Sequence, residues 1–272
     1  MDDPNPQGRV ARVFDAAADD YDAGIGLFER FGRRLVEVAA LEAGERVLDL
    51  ACGTGASLIP AAAAVGPSGK VHGADLSPAM VERCRSRLHT EGHRHGQAVV
   101  MDAEELSLGD SRFDAILCGF GVFFMTRPEA SLVAIRRNLT PTGRFAFTLF
   151  DGPVLWEWLN PTLLAFTPRP HPQPHPMWSA EGSVELLTKA GFASAEVHHL
   201  TEDLMIADIA VLWSWLWALG SRMLLERMDT AALEALRHEL ADRLEEHRAD
   251  SGHLATQQAV AVVAWPSKEE AQ

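Results

Sequence analysis

The sequence predicts an α/β protein: a doubly wound, mostly parallel sheet with helical lid segments. Three observations carry this. Short apolar runs alternate with longer amphipathic stretches. The first such run, "RVLDLA", breaks straight into a glycine turn, "CGTGAS", at residues 52–57. Proline and glycine punctuate later joints, as in "GPSGK" and "TPTGR".

The elements follow in order. An amphipathic stretch at about residues 10–40 precedes the first strand. "KVHGADL" is the second strand. The helix "SPAMVERCRSRLHTEG" comes next, with Ser77 as its cap and Pro78 at the first helical position. "QAVVMDA" and "FDAILCGFG" are the third and fourth strands. "RPEASLVAIRRNL" is a helix that leads into the fifth strand, "RFAFTLF". "SAEVHHL" and "QQAVAVVAW" are later strand candidates.

Residues 151–179 are rich in proline and tryptophan, and "TPRPHPQPHP" within them reads as an extended loop. Residues 206–248 read as helical, with Leu233, Leu236, Leu240 and Leu244 on one apolar face. The apolar window at 204–221 contains Asp208 and is followed by Arg222, so it reads as a buried helix and not a membrane span. We expect one domain: a lid at 1–41, a ligand-binding half at 42–150, the remaining sheet and second-substrate side at 151–205 and 249–272, and a helical lid insertion at 206–248.

The bulk properties narrow the partners. The chain has 272 residues and is 47% hydrophobic, enough for a large core. Its net charge is −14 at pH 7, which repels phosphate backbones and anionic bilayers. Neither a nucleic acid nor a membrane is expected as partner. Cys52, Cys84 and Cys118 make no disulfide framework and suit a reducing cytoplasm. Their spacing predicts no metal site. The N-terminus lacks the basic start and apolar run of a signal peptide.

The glycine turn leaves three ligand readings. A phosphate loop requires a Gly-Lys-Ser/Thr ending, which "GTGAS" lacks. A dinucleotide fingerprint requires a third glycine, where this chain has Leu58. S-adenosyl-L-methionine has no phosphate and carries an amino group and a ribose diol. Acids suit it, because a charged hydrogen bond contributes about 1.5–3 kcal/mol. Asp49 lies in the first strand, Asp75 ends the second, and Asp102 and Glu104 follow the third. Acids at successive strand ends beside a glycine turn favour this ligand.

In "VFDAAADDYD", "RVLDLACGTG", "GADLSPAMV", "DAEEL", "FDAILCGFGVFFM" and "RNLTPTGRF", the chain resembles a class I S-adenosylmethionine-dependent methyltransferase. Within that class it is most similar to the ubiquinone/menaquinone C-methyltransferase branch. The resemblance covers roughly residues 13–150. It implies a Rossmann-like seven-stranded sheet whose last strand runs antiparallel, which "QQAVAVVAW" fits. It further implies that Asp49, Gly53 and Gly55 surround the methionine part of the cofactor. By the same resemblance Asp75 holds the ribose, Met80 packs by the adenosine, and Asp102 bonds the adenine amino group. Ala103 and Glu104 flank the ring, Gly119 passes beneath, and Tyr21, the only tyrosine, caps the site. Ala51, Cys52, Leu76 and Ser77 complete the cofactor set. Two departures weaken the quinone assignment. The branch's usual Gly-Leu-Arg-Asn is Gly121-Val122-Phe123-Phe124 here, and its Pro-Gly-Gly turn is Pro141-Thr142-Gly143.

The sulfonium is already a methyl donor, so the protein has mainly to align the acceptor and exclude water. Candidate bases or orienting groups are Tyr21, His171, His175, His198 and His199, of which Tyr21 and His175 are the stronger pair. Phe123, Phe124, Trp156, Trp178, Trp213 and Trp217 are candidates for an apolar acceptor wall. With no basic patch for RNA, the expected acceptor is a small, apolar molecule, aromatic or polyketide-like, methylated on oxygen, nitrogen or carbon. High alanine and arginine with little lysine points to a GC-rich bacterial genome and, with the elaborated lid, to specialised metabolism. A quinone C-methyltransferase and a cofactor-binding protein without methyl transfer, such as a cyclase or regulator, remain open. The oligomeric state, monomer or homodimer, is open as well.

Overall fold

The computed structural model describes residues 6–22, 24–106, 111–167, 176–247 and 253–267. The amphipathic N-terminal stretch forms two helices, α1 (Pro6–Ala17) and α2 (Leu27–Val38). Gly24 and Gly26 divide them, with φ of 100° and 68°, values that glycine adopts at no steric cost. The alternation then proceeds as β1 (Arg46–Leu50), α3 (Leu58–Val65), β2 (Lys70–Asp75), α4 (Pro78–Thr90) and β3 (Gly96–Val100). Ser77 caps α4 by accepting the Met80 amide, and Pro78 occupies the first turn, as the sequence predicts. β4 (Phe113–Gly119), α5 (Pro128–Arg137) and β5 (Leu139–Phe150) complete the parallel part.

The second half adds α6 (Leu159–Phe166), α7 (Ala180–Lys189), β6 (Phe192–Ile206), α8 (Ile209–Trp217), α9 (Arg222–Leu225), α10 (Thr230–Glu246) and β7 (His253–Pro266). One expectation needs correcting. The apolar window at 204–221 is not one helix. Leu204 and Ile206 are the buried, alternating end of β6, and Asp208 caps α8 by accepting the Val211 amide. The α10 face comes out as read, with Leu236, Leu240 and Leu244 buried. No helix among the described residues is long and apolar enough to cross a membrane.

The seven strands are ordered β3-β2-β1-β4-β5-β7-β6. β1 to β5 are parallel, and β7 runs antiparallel to both β5 and β6. Strand order reverses between β1 and β4, and ligands of open α/β sheets bind at the carboxyl ends there. Alternation along β1 sends Val47 to a core shared with α2, α3 and α8, and Leu48 and Leu50 to a core shared with α5 and α7. Asp49 is on the Val47 side and therefore points into an apolar layer.

Candidate active site

The site grows from the joint after β1. Ala51, Gly53 and Gly55 all take positive φ, at 51°, 52° and 99°, which folds the chain back sharply. The Cys52 amide donates to the Ala74 carbonyl at 3.1 Å and the Gly55 amide to the Cys52 carbonyl at 2.8 Å. Asp75, ending β2, fastens this turn to α4: its Oδ2 accepts the Gly53 amide at 2.8 Å and its Oδ1 the Ser77 amide at 2.9 Å. α2 lies hard against the turn. A Cβ on Gly32 would stand 2.2 Å from the Ala56 carbonyl oxygen, so only glycine permits this approach.

The N-terminal segment closes over the joint. Asp15 Oδ1 accepts from Ser77 Oγ at 2.5 Å and from the Ala79 amide at 3.1 Å. Thr54 Oγ1 donates to Asp22 Oδ1 at 2.7 Å, and Arg83 pairs with Asp19. The acidic "DAAADDYD" run is thus a latch onto α4 and the glycine turn.

Beneath it lies a cavity of about 810 Å³. Ala51, Gly53, Asp75, Leu76 and Met80 line it from the first two joints. Asp102, Ala103, Glu104 and Gly119 line it from the next two, and Tyr21 lines it from the latch. Asp49 and Cys52 border a recess of about 20 Å³ that shares Tyr21, Ala51, Gly53 and Gly119 with the cavity. Gly55 and Ser77 line neither. Gly55 faces Ile59 and Cys84 behind the turn, and Ser77 is spent on capping.

Asp49 is the electrostatic centre of this arrangement. It is 1% exposed, and no hydrogen bond of ordinary geometry reaches either carboxylate oxygen, the nearby Leu58 amide only opposing the rise in its pKa. Burial, and then the neighbouring Asp75 charge, push its pKa up to about 8. A buried unpaired carboxylate is costly unless a cation meets it. The amino group of S-adenosylmethionine is such a cation. Asp75 is likewise raised, by burial first, with the Ser77 and Gly53 amides opposing. Its oxygens each keep a lone pair for a ribose hydroxyl. Asp102 Oδ1 accepts the Glu104 amide at 2.8 Å, which leaves Oδ2 for an adenine amino group. The residues present fit this cofactor.

Two of these lining residues are also held by their neighbours. Glu104 turns its carboxylate to Thr126 Oγ1 (2.6 Å), the Arg127 amide (2.5 Å) and Gln7 Nε2 (2.7 Å), so it braces α1 and α5 beside the cavity. Tyr21 stacks on Phe28 at 5.4 Å. Burial, then Asp75 and Asp22, hold its hydroxyl proton far above the ordinary range. That environment favours a neutral donor over a phenolate base.

Of the acceptor candidates, Phe123, Phe124 and Trp178 line the cavity. Trp156 lies elsewhere, stacked on Trp158 at 5.1 Å, and its indole N–H donates to the Leu254 carbonyl. Trp213 and Trp217 meet edge to face at 6.3 Å with Arg237 and Arg222 over their rings. They share a helix face, but the α8 side chains that reach the cavity are Trp215 and Leu216. α8 is apolar but for Ser214, too little for periodicity to choose its inward face. Sequence reasoning also missed Gln7, Arg9, Phe14, Phe120, Phe150 and Arg227. The three- and four-residue steps from Gln7 to Val10 to Phe14 are a usable signal for α1. His199 pairs with Asp151 at 3.1 Å and His198 lies beside Glu196, both away from the cavity. His171 and His175 lie outside the described residues. No group of three or more metal-ligating side chains occurs among the described residues.

Comparison with known proteins agrees with this geometry. The sequence profile of a methyltransferase domain matches residues 47–143. The chain is 31% identical over 272 residues to nocamycin O-methyltransferase of Saccharothrix syringae, spanning 90% of this chain and 94% of that one. This chain belongs to the class I S-adenosylmethionine-dependent methyltransferases. It is 38% identical over 149 residues to aklanonic acid methyltransferase DauC of Streptomyces sp. (strain C5), covering 54% of this chain and 68% of the relative. It is 36% identical over 176 residues to the ubiquinone/menaquinone C-methyltransferase UbiE of Rubrivivax gelatinosus, covering 61% and 66%. Among solved structures, the [4+2]-cyclase SpnF superposes with a TM-score of 0.60 at 19% identity, covering 98% of this chain and 99% of that one. That likeness is one of fold alone.

The methyltransferase geometry sharpens one expectation. Asp75→Ala should weaken S-adenosylmethionine binding by about 1–3 kcal/mol through lost charged hydrogen bonds. It should also lower the melting temperature, because the Gly53 and Ser77 amides lose their acceptor. Calorimetric titration with parallel thermal melts checks both. An unchanged affinity would remove the ribose from this strand end.

Proposed function

We propose that this methyltransferase acts on an oxygen of a small, largely apolar, aromatic or polyketide-like metabolite in the cytoplasm. The observation that carries this is the continuity of one 810 Å³ cavity from the acids of the strand ends to an aromatic wall of Phe123, Phe124, Phe150, Trp178 and Trp215. Two relatives, nocamycin O-methyltransferase and aklanonic acid methyltransferase, support the same class. Phe123 and Phe124 stand where the quinone branch usually has a polar pair, which counts against a quinone acceptor.

The cofactor supplies an electrophilic methyl group. The chain's own contribution is placement. Asp49, Asp75 and Asp102 fix three separated polar points of the donor, and the rings of α8 and the fourth-strand turn hold a flat acceptor against it. Such alignment is worth roughly 7–11 kcal/mol. The latch formed by Asp15, Asp19 and Asp22 closes the site and excludes water. Tyr21, kept neutral, offers a hydroxyl donor at the recess. Residues 1–41 and 206–248 together act as the acceptor lid in this reading.

The test uses S-adenosylmethionine labelled on its methyl group, purified protein and a fractionated small-molecule extract of the source organism. Label appearing on an oxygen of an extractable apolar compound is the expected result. Label on a quinone carbon would replace this acceptor with the quinone. Cofactor binding without any transfer would favour a role like that of the cyclase neighbour.

A further inference from the structure

We propose that Gln7, on the lid helix α1, reads the adenine amino group of the cofactor and so makes closure of this helix depend on the base. This role rests on the adenine end of the cofactor lying at Asp102, as described above. Gln7 lines the cavity together with Met101, Asp102, Ala103 and Glu104 from the end of β3. Its Nε2 donates to Glu104 Oε2 at 2.7 Å, across 97 residues of sequence. That bond fixes which way the amide points, because an ionised carboxylate only accepts. Gln7 Oε1 is therefore turned away from Glu104. It is buried and has no hydrogen-bond partner.

The donors beside it are spent. Thr126 Oγ1, the Arg127 amide and Ser131 Oγ all donate to the Glu104 carboxylate, at 2.6, 2.5 and 3.3 Å. A buried amide oxygen without a donor destabilises the fold, so its presence in a binding cavity calls for a donor from the ligand. The adenine amino group carries two hydrogens. Asp102 keeps Oδ2 for the first, since its Oδ1 accepts the Glu104 amide at 2.8 Å. Gln7 Oε1 is an acceptor for the second. One acceptor comes from the sheet and the other from the lid.

The same helix reaches the other end of the cavity. α1 carries Val10 and Phe14 into it, and the Phe14 ring meets Phe124 of the acceptor wall edge to face at 5.3 Å. Holding Gln7 therefore holds the helix whose next turns shape the acceptor end. α1 closes over the cofactor before the acceptor wall is complete, which puts the cofactor first in the order of binding.

Two probes separate this role from simple bracing of the lid. They are S-adenosylhomocysteine and its analogue with hydrogen in place of the adenine amino group, each titrated calorimetrically into the full chain. The wild type should prefer the amino-bearing ligand by at least about ten-fold. Gln7→Met should shrink that preference by about three- to ten-fold, the range of one neutral hydrogen bond. Gln7→Lys still donates to Glu104 but brings no acceptor, so it should shrink the preference equally with the lid still attached. Hydrogen exchange along α1 is the second readout. In the wild type, S-adenosylhomocysteine should protect the helix more than the analogue does, and in Gln7→Lys the two should protect it alike. A preference unchanged in both variants would reduce Gln7 to a brace for Glu104 and leave adenine at Asp102. So would a preference lost in Gln7→Met but kept in Gln7→Lys. Equal protection by both ligands in the wild type would overturn the dependence of lid closure on the base. Equal affinity of the wild type for both ligands would overturn the adenine position and the role of Gln7 together.

Discussion

Asp49→Asn is expected to cut S-adenosylmethionine affinity by about one to two orders of magnitude while leaving the protein at least as stable as wild type at pH 8. Both halves follow from the same facts. Asp49 is buried, no hydrogen bond of ordinary geometry reaches its two oxygens, and burial pushes its pKa up to about 8 against a small opposing effect of the Leu58 amide. Losing charged hydrogen bonds to an ammonium costs about 1.5–3 kcal/mol, or roughly ten- to a hundred-fold or slightly more in affinity. The sign of the stability effect runs the other way. A carboxyl raised in the folded state is protonated there but ionised in the unfolded chain between its ordinary value near 4 and about 8. Stability therefore falls as pH rises through that window, and the full penalty is present above about 8. Asparagine removes the fall. Binding needs the anion, so wild-type affinity should gain on that of the variant from pH 6 to 8. The free ligand's amine titrates identically in both experiments, so the ratio of the two affinities reports the pairing of carboxylate with ammonium. Calorimetric titrations and thermal melts at pH 6, 7 and 8 read both effects. Parallel affinity profiles would show that no cation meets this carboxylate.

The contrast between Asp49 and the acceptor wall explains what sequence could and could not reveal. β1 to β5 are legible because each buried strand is a short apolar run closed by glycine, proline or an acid. The acids of the cofactor side are legible for the same reason: a strand end fixes where its last side chain points. Nothing local says that Asp49 lacks a partner, because its isolation depends on which residues α2 and α3 bring over it. The lid is harder still. α8 is apolar but for Ser214, so its inward residues, Trp215 and Leu216, are decided by what it packs on. Gln7 and Arg9 look like surface residues on a short helix until α1 is laid across the cavity. The start of α8 was misread because Leu204 and Ile206 continue a strand whose partner, β7, lies about fifty residues away.

Arg144→Met should have the largest effect on stability, and it tests the frame that holds the site. Arg144 lies at the amino-terminal side of the sheet, opposite the glycine turn. Its guanidinium makes a fork with Glu45, with both nitrogens 2.8 Å from the two oxygens. It also donates to the carbonyls of Ala40 at 2.8 Å, Asp114 at 3.2 Å and Ala39. One side chain thus ties the end of α2, the approach to β1, and β4 to β5. The two partner side chains are only 11% and 16% exposed. Removing one member of a buried pair leaves the other charge stranded, at a cost of about 3–5 kcal/mol. At about 2–4 °C per kcal/mol for a domain of this size, the melting temperature should drop by roughly 6–20 °C. Arg144→Lys keeps the charge but loses the fork, so it should fall between. Adding Glu45→Met to Arg144→Met should recover part of the loss, because no charge is then left unpaired. Cofactor affinity measured well below the melting point should stay near wild type, since the pair is remote from the carboxyl ends of the strands. A loss of only a degree or two in Arg144→Met would mean that water reaches Glu45 and that the pair is a surface bridge in energetic terms.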